Sequence, residues 1–167
     1  MSGKADSRLF PKQKRRDQLL EEMVHDPYLS RAKLKSPTVC KRCDAVYING
    51  RWTWGMTSND AARILCPACQ RTQDKVPAGF LTIQNDYFAK RKNEIMSLIR
   101  HTEEHEKQAH PMKRIMHIDD TSDTMQITFT DPGLARNIGD ALESAYGGKL
   151  DYQYTTGEFM LRVTLEK

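Results

Sequence analysis

The chain has 167 residues, 38% of them hydrophobic, with a mean hydropathy of −0.69 and a formal net charge of +4. That length accommodates one medium domain or two small ones, and the low apolar content argues against a single large core. No apolar run approaches the roughly 18 residues of a membrane span, and the charged N-terminus lacks the apolar stretch of a secretory signal, so a soluble, cytoplasmic protein is expected.

The charge is unevenly shared. Residues 1–75 hold 15 Lys/Arg against 8 Asp/Glu, a balance of +7, while residues 76–167 hold 11 against 14, a balance of −3. Segregation of this kind points to a polyanionic partner for the first half. Residues 1–37 read as a basic, largely flexible tail. Pro11, Pro27 and Pro37 interrupt it, leaving room for a short helix over Gln13–Val24.

Residues 38–75 contain all four cysteines of the chain, in the pairs Cys40-Lys41-Arg42-Cys43 and Cys66-Pro67-Ala68-Cys69. Between them lies Val46-Tyr47-Ile48-Asn49-Gly50-Arg51-Trp52. Asn-Gly predicts a type I′ hairpin, because both central residues of that turn need positive φ. The hairpin would pair Ile48 with Arg51 and Tyr47 with Trp52. Strand alternation would then set Tyr47, Trp52 and Trp54 on one face. Ser58 or Asn59 is placed to cap a short helix through Ala61–Leu65.

Val76-Pro77-Ala78-Gly79 reads as a boundary, followed by a short strand at Phe80–Ile83. A charged helix spans about Asp86 to Ala109, ended by His110-Pro111. Its last two turns lack apolar residues and are expected to project from the body. Strands at Arg114–Asp119 and Thr124–Thr130 follow. Asp131-Pro132 then starts a helix and Gly147-Gly148 closes it. Two more alternating runs, around Leu150–Tyr154 and Phe159–Leu165, flank a turn at Thr156-Gly157. The expected fold is α+β. It comprises a four-cysteine zinc ribbon with a basic N-terminal tail, then a long helix and a β-β-α-β-β domain (76–167) with a four-stranded antiparallel sheet.

Cys40, Cys43, Cys66 and Cys69 have the spacing of a four-thiolate zinc site. Each C-x-x-C turn offers two soft ligands on one tight loop, and four thiolates complete a tetrahedron. One structural Zn2+ is expected, closed to substrate. Without a secretory signal, paired thiols favour metal over disulfides. The expected role of the metal is to shape a surface.

One motif suggests catalysis. His101-Thr102-Glu103-Glu104-His105 matches the H-x-x-E-H pattern of a zinc protease class. That chemistry needs a third ligand, and Glu158 and Glu166 are the only downstream glutamates at a remotely suitable distance. Neither lies on a second helix, so a solvated helix end is the better reading and a metalloprotease a minor alternative. No Ser-His-Asp arrangement or phosphate-cradling glycine loop is present. The chain is read as a non-enzyme.

The binding reading rests on cations and aromatics. Lys12, Lys14, Arg15, Arg16, Lys41, Arg42, Arg51 and Arg71 are candidates for phosphate contact. Trp52 and Trp54 are candidates for stacking on unpaired bases, or for packing over the ribbon or the following domain. The expected activity is RNA binding by a ribosome-associated factor that acts in assembly, hibernation or translational control. The alternative is a protein–protein adaptor or transcription-associated zinc ribbon.

Cys40–Arg71, Pro77-Ala78-Gly79, His110-Pro111, Arg114-Ile115-Met116 and Asp131–Tyr146 together resemble small bacterial zinc-ribbon proteins. These are related to the adaptor family that takes large ribosomal subunits out of the nucleus. Met125–Phe129 and Ala135–Leu142 are similar to its strand-then-helix element. The resemblance covers roughly residues 38–167. It implies contact with the ribosome, through ribosomal RNA or ribosomal proteins, and no small-molecule substrate or membrane. Ending at Leu165-Glu166-Lys167, the chain is expected to lack an export-signal tail.

Overall fold

The computed structural model describes residues 26–29, 33–155 and 158–167. The predicted helix over Gln13–Val24 and the turn at Thr156-Gly157 lie outside the described residues. The fold is α+β, with two mixed sheets and four helices among the described residues.

The first sheet is small. Its strands are β1 (Thr38–Cys40), β2 (Val46–Ile48), β3 (Arg51–Thr53) and β4 (Ala62–Ile64), in the order β3-β2-β1-β4. Asn49 at φ 51° and Gly50 at φ 87° make the predicted turn, and Ile48 pairs with Arg51, Tyr47 with Trp52. The expected helix at Ala61–Leu65 is instead β4, which pairs in parallel with β1. β1 offers an open row of backbone partners, and pairing with them holds the segment extended. The helix starts one step later, as α1 (Pro67–Asp74), with Cys66 as N-cap and proline at N1.

The second sheet corrects the expected four-stranded antiparallel arrangement. It has five strands: β5 (Gly79–Gln84), β6 (Ile115–Asp120), β7 (Thr124–Phe129), β8 (Lys149–Tyr154) and β9 (Leu161–Glu166), ordered β6-β7-β5-β9-β8. The short strand after the boundary is its centre, antiparallel to β7 and parallel to β9. Leu81 and Ile83 of β5 are fully buried, and only a central strand can satisfy their backbone on both sides. Ala78, just before β5, already joins the sheet. Ala78 donates to Phe129 O and accepts from Leu161 N. A Cβ on Gly79 would lie 2.9 Å from Ala135 Cβ, so glycine permits the close approach of β5 to the helix above.

The sheet is covered by α4 (Pro132–Tyr146), capped by Asp131 accepting from Leu134 N and ended at Gly147. Against α4 packs α3 (Lys92–Ala109), preceded by a single turn, α2 (Asn85–Phe88). The sequence pattern predicts these two as one helix. They serve different partners, α2 touching the sheet and α3 the neighbouring helix, and the chain bends between them at Arg91. Ile95 and Ile99 of α3, Ile138 and Leu142 of α4, and Ile127 and Phe129 of β7 share one apolar core. At roughly 1.5–3 kcal/mol for each fully buried large side chain, this cluster supplies the main driving force.

The end of α3 does not project. Glu103 Oε1 accepts from Ile115 N at 2.8 Å, Lys113 Nζ donates to Glu106 Oε2 at 2.8 Å, and Trp54 Nε1 donates to Lys107 O at 2.8 Å. These turns are docked by polar contacts, which an apolar pattern does not reveal. No helix among the described residues is long and apolar enough to cross a membrane.

Candidate metal centre

Cys40 ends β1, and the chain then turns back through Asp44, whose φ of 62° is left-handed. Cys40 N donates to Ala45 O at 2.8 Å and Asp44 N to Cys40 O at 3.0 Å, closing the loop that carries Cys43. Cys66 and Cys69 stand at the start of α1, one helical turn apart. Backbone amides point at sulfur: Cys66 N and Arg42 N donate to Cys40 Sγ at 3.3 and 3.5 Å, and Cys69 N to Cys66 Sγ at 3.4 Å.

The four sulfurs lie within 4.8 Å of one another. Cys43 and Cys66 Sγ are 3.8 Å apart with no covalent bond between them, well beyond the roughly 2.05 Å of a disulfide. A tetrahedron with metal–sulfur bonds of about 2.3 Å has edges of about 3.8 Å. The residues therefore fit one ion. Tetrahedral sulfur ligation suits zinc and also iron, and amide N–H groups directed at sulfur stabilise bound thiolates.

The electrostatics already favour one thiolate. A hydrogen bond from Cys66 holds Cys43 well below the ordinary thiol range, helped by the Ala45 amide and Arg114 and opposed by burial. Donation to Cys43, together with burial, raises Cys66, and burial raises Cys69. Arg114, which sequence reasoning missed, comes from the segment that leads into β6 of the large sheet. Its Nη2 donates to Cys43 Sγ at 3.0 Å and its Nη1 to Cys69 Sγ at 3.3 Å. Burial opposes its charge, but the bonds to Cys43 and the nearby sulfur charges more than offset this. Nothing local marks such a residue; an arginine opening a strand reads as solvent-facing.

The candidate RNA contacts separate into three groups. Lys12, Lys14, Arg15 and Arg16 lie outside the described residues. Lys41 and Arg42 lie inside the Cys40–Cys43 turn and Arg51 opens β3, and all three are exposed. Arg71 is a correction. It is only 2% exposed, donating to Asp26 Oδ1 at 2.6 Å and Val76 O at 3.0 Å, with its guanidinium 4.4 Å from the Tyr28 ring centre. A guanidinium so enclosed does not reach a phosphate. The same pair ties Asp26 and Tyr28, expected in the tail, onto α1.

Both tryptophans have protein partners. Trp52 packs on the cysteine cluster and meets Tyr47 edge-on, ring centres 5.6 Å apart. Trp54 is 37% exposed, and its indole N–H is already donated to Lys107 O. Tyr47, Arg51, Trp52, His110, Met112 and Lys113 are among the residues that line a groove of about 620 Å³. His101, Glu104 and His105 sit on α3, both histidines and Glu104 away from any cluster of ligands. Among the described residues the four cysteines are the only group of three or more possible ligands close enough to share an ion, so the protease pattern gains no third ligand.

Comparison with protein-family models, with curated proteins and with solved structures finds no match for this chain.

Proposed function

We propose that Cys40, Cys43, Cys66 and Cys69 hold one zinc ion in a closed structural site, as a four-cysteine ribbon. On this reading the protein is a non-enzymatic cytoplasmic factor that binds ribosomal RNA on the ribosome. One observation carries the reading: the sulfur cluster fixes a turn whose two middle residues, Lys41 and Arg42, face solvent. A four-thiolate ion has no open position for substrate, so its effect is to hold those cations, and Arg51 on the adjoining hairpin, in a set arrangement. The basic residues 1–25 would extend the contact along phosphates, where counterion release dominates affinity. Tyr47 and Trp52 at the groove supply the aromatic surface for an unpaired base.

Sedimentation of lysate tests the proposal. The protein is expected to travel with a ribosomal subunit at low salt and to leave it in a high-salt wash. Residence at the top of the gradient at low salt would overturn it. Metal analysis of the purified chain should give one zinc, lost on Cys66→Ser. For RNA binding in vitro, Arg15/Arg16→Ala and Lys41/Arg42→Ala should each lower the salt slope by roughly 1–2. A protein adaptor is favoured instead by the acidic second half, and association with a protein that survives nuclease treatment would support it.

A further inference from the structure

The segment Lys107–Arg114, which leads into the large sheet, meets the small sheet's module, and Arg114 brings that contact to sulfur. Besides the Arg114 bonds to Cys43 and Cys69, Nη2 lies 3.8 Å from Cys66 Sγ. Among the described residues no other side chain apart from the cysteines themselves hydrogen-bonds these sulfurs. We infer that Arg114 is a clasp. Through it the loaded metal centre holds the segment Lys107–Arg114, and with it the five-stranded sheet, against the small sheet. This rests on the metal reading above.

Charge supplies the reason. Four thiolates around a divalent ion carry a formal charge of about −2, and a largely buried anion needs an opposite charge, whereas the module's own contacts at the sulfurs are neutral backbone amides. The guanidinium supplies one positive charge, and its planar fork reaches several acceptors at once. A lysine keeps the charge but lacks that fork, its three donors sharing one nitrogen. Arg114 is also held ready. Its Nε donates to Pro111 O at 2.7 Å, and its amide donates to Thr130 Oγ1 at 2.9 Å, the Thr130 hydroxyl donating in turn to Met112 O at 2.6 Å. Thr130 follows β7, so the clasp is anchored in the large sheet. Trp54 extends the contact from the other side, bonded to Lys107 O and lying 5.7 Å from the Arg114 guanidinium. Met112 packs on the cysteine cluster. An ion in this position therefore fastens two parts of the molecule, beyond stapling one.

Amide hydrogen exchange on the full chain, after metal stoichiometry has been measured, tests this. Chelation of the wild type should speed exchange of the Lys107 and Arg114 region about tenfold or more, the loss of at least one charge-assisted hydrogen bond. Amides of β5, β7 and β9 should stay protected. Arg114→Met, still holding one ion, should show the same local rise and release the ion faster to a chromogenic chelator. Arg114→Met with its ion and wild-type exchange would overturn the clasp while leaving the metal reading intact. A wild type that takes up no ion would overturn both. Should Arg114→Met lose its ion, Arg114→Lys decides: raised exchange in the same region supports the clasp, wild-type exchange refutes it.

Discussion

The two sheets bury their chain in different ways. The five-stranded sheet and its helices enclose Phe129, Leu81, Ile127, Ile138 and other large side chains completely, enough apolar area to stand without help. The small sheet has strands of three residues, and the cluster at its centre is Cys40, Ala45, Cys66, Ala68 and Cys69, small side chains with little hydrophobic drive. A region built this way needs a staple.

The contrast breaks most readily at the metal. Chelation, or Cys66→Ser, removes an interaction of about 10–16 kcal/mol in apparent binding free energy. The amides of 38–75 should lose protection while β5, β7 and β9 keep theirs; simultaneous loss in both would make the molecule one cooperative unit. Phe129→Ala tests the other side and should cost about 3–5 kcal/mol in denaturant unfolding with metal content unchanged.

Arg71→Ala strands Asp26, only 8% exposed, without its partner, at about 3–5 kcal/mol if the site stays closed to water. The loss should fall in the small module. Asp131→Ala removes the cap of α4 and should lower stability by about 1 kcal/mol, read as a drop of a few degrees in Tm. The smallest effect is at Glu106, which its hydrogen bond from Lys113 holds below its ordinary value of 4.5. A lowered carboxyl contributes stability that is complete above that value and lost as pH falls through the folded one. Glu106→Gln should therefore flatten the acid limb below about pH 4.5, by roughly 0.5 kcal/mol.

Local chemistry was legible in the sequence. Asn49-Gly50 set a hairpin register, Asp131-Pro132 and Gly147-Gly148 bounded a helix, and alternation at Met125, Ile127 and Phe129 identified a buried strand face. The cysteine spacing found the candidate site. What was hidden is non-local. That β5 lies at the centre follows from pairing with β9, far along the chain. Arg71 reads as a surface cation because residue type reports a preference, and Arg114 reads only as the start of a strand; tertiary placement alone shows that one is locked to Asp26 and the other aimed at sulfur. Cys66-Pro67 did carry a helix-start signal, an N-cap followed by proline, which its place in a candidate ligand pair obscured.

The parallel pairing of β5 with β9 also orders the molecule in time. Synthesis at about 5–20 residues per second delivers the four cysteines first. Arg114 follows Cys69 by 45 residues, roughly 2–9 s later at that rate. Leu81 of β5 waits longer still for Val163, on the last strand described. During translation, then, an ion can be captured before its fastening exists, and the central strand stays half-paired until the large sheet is finished.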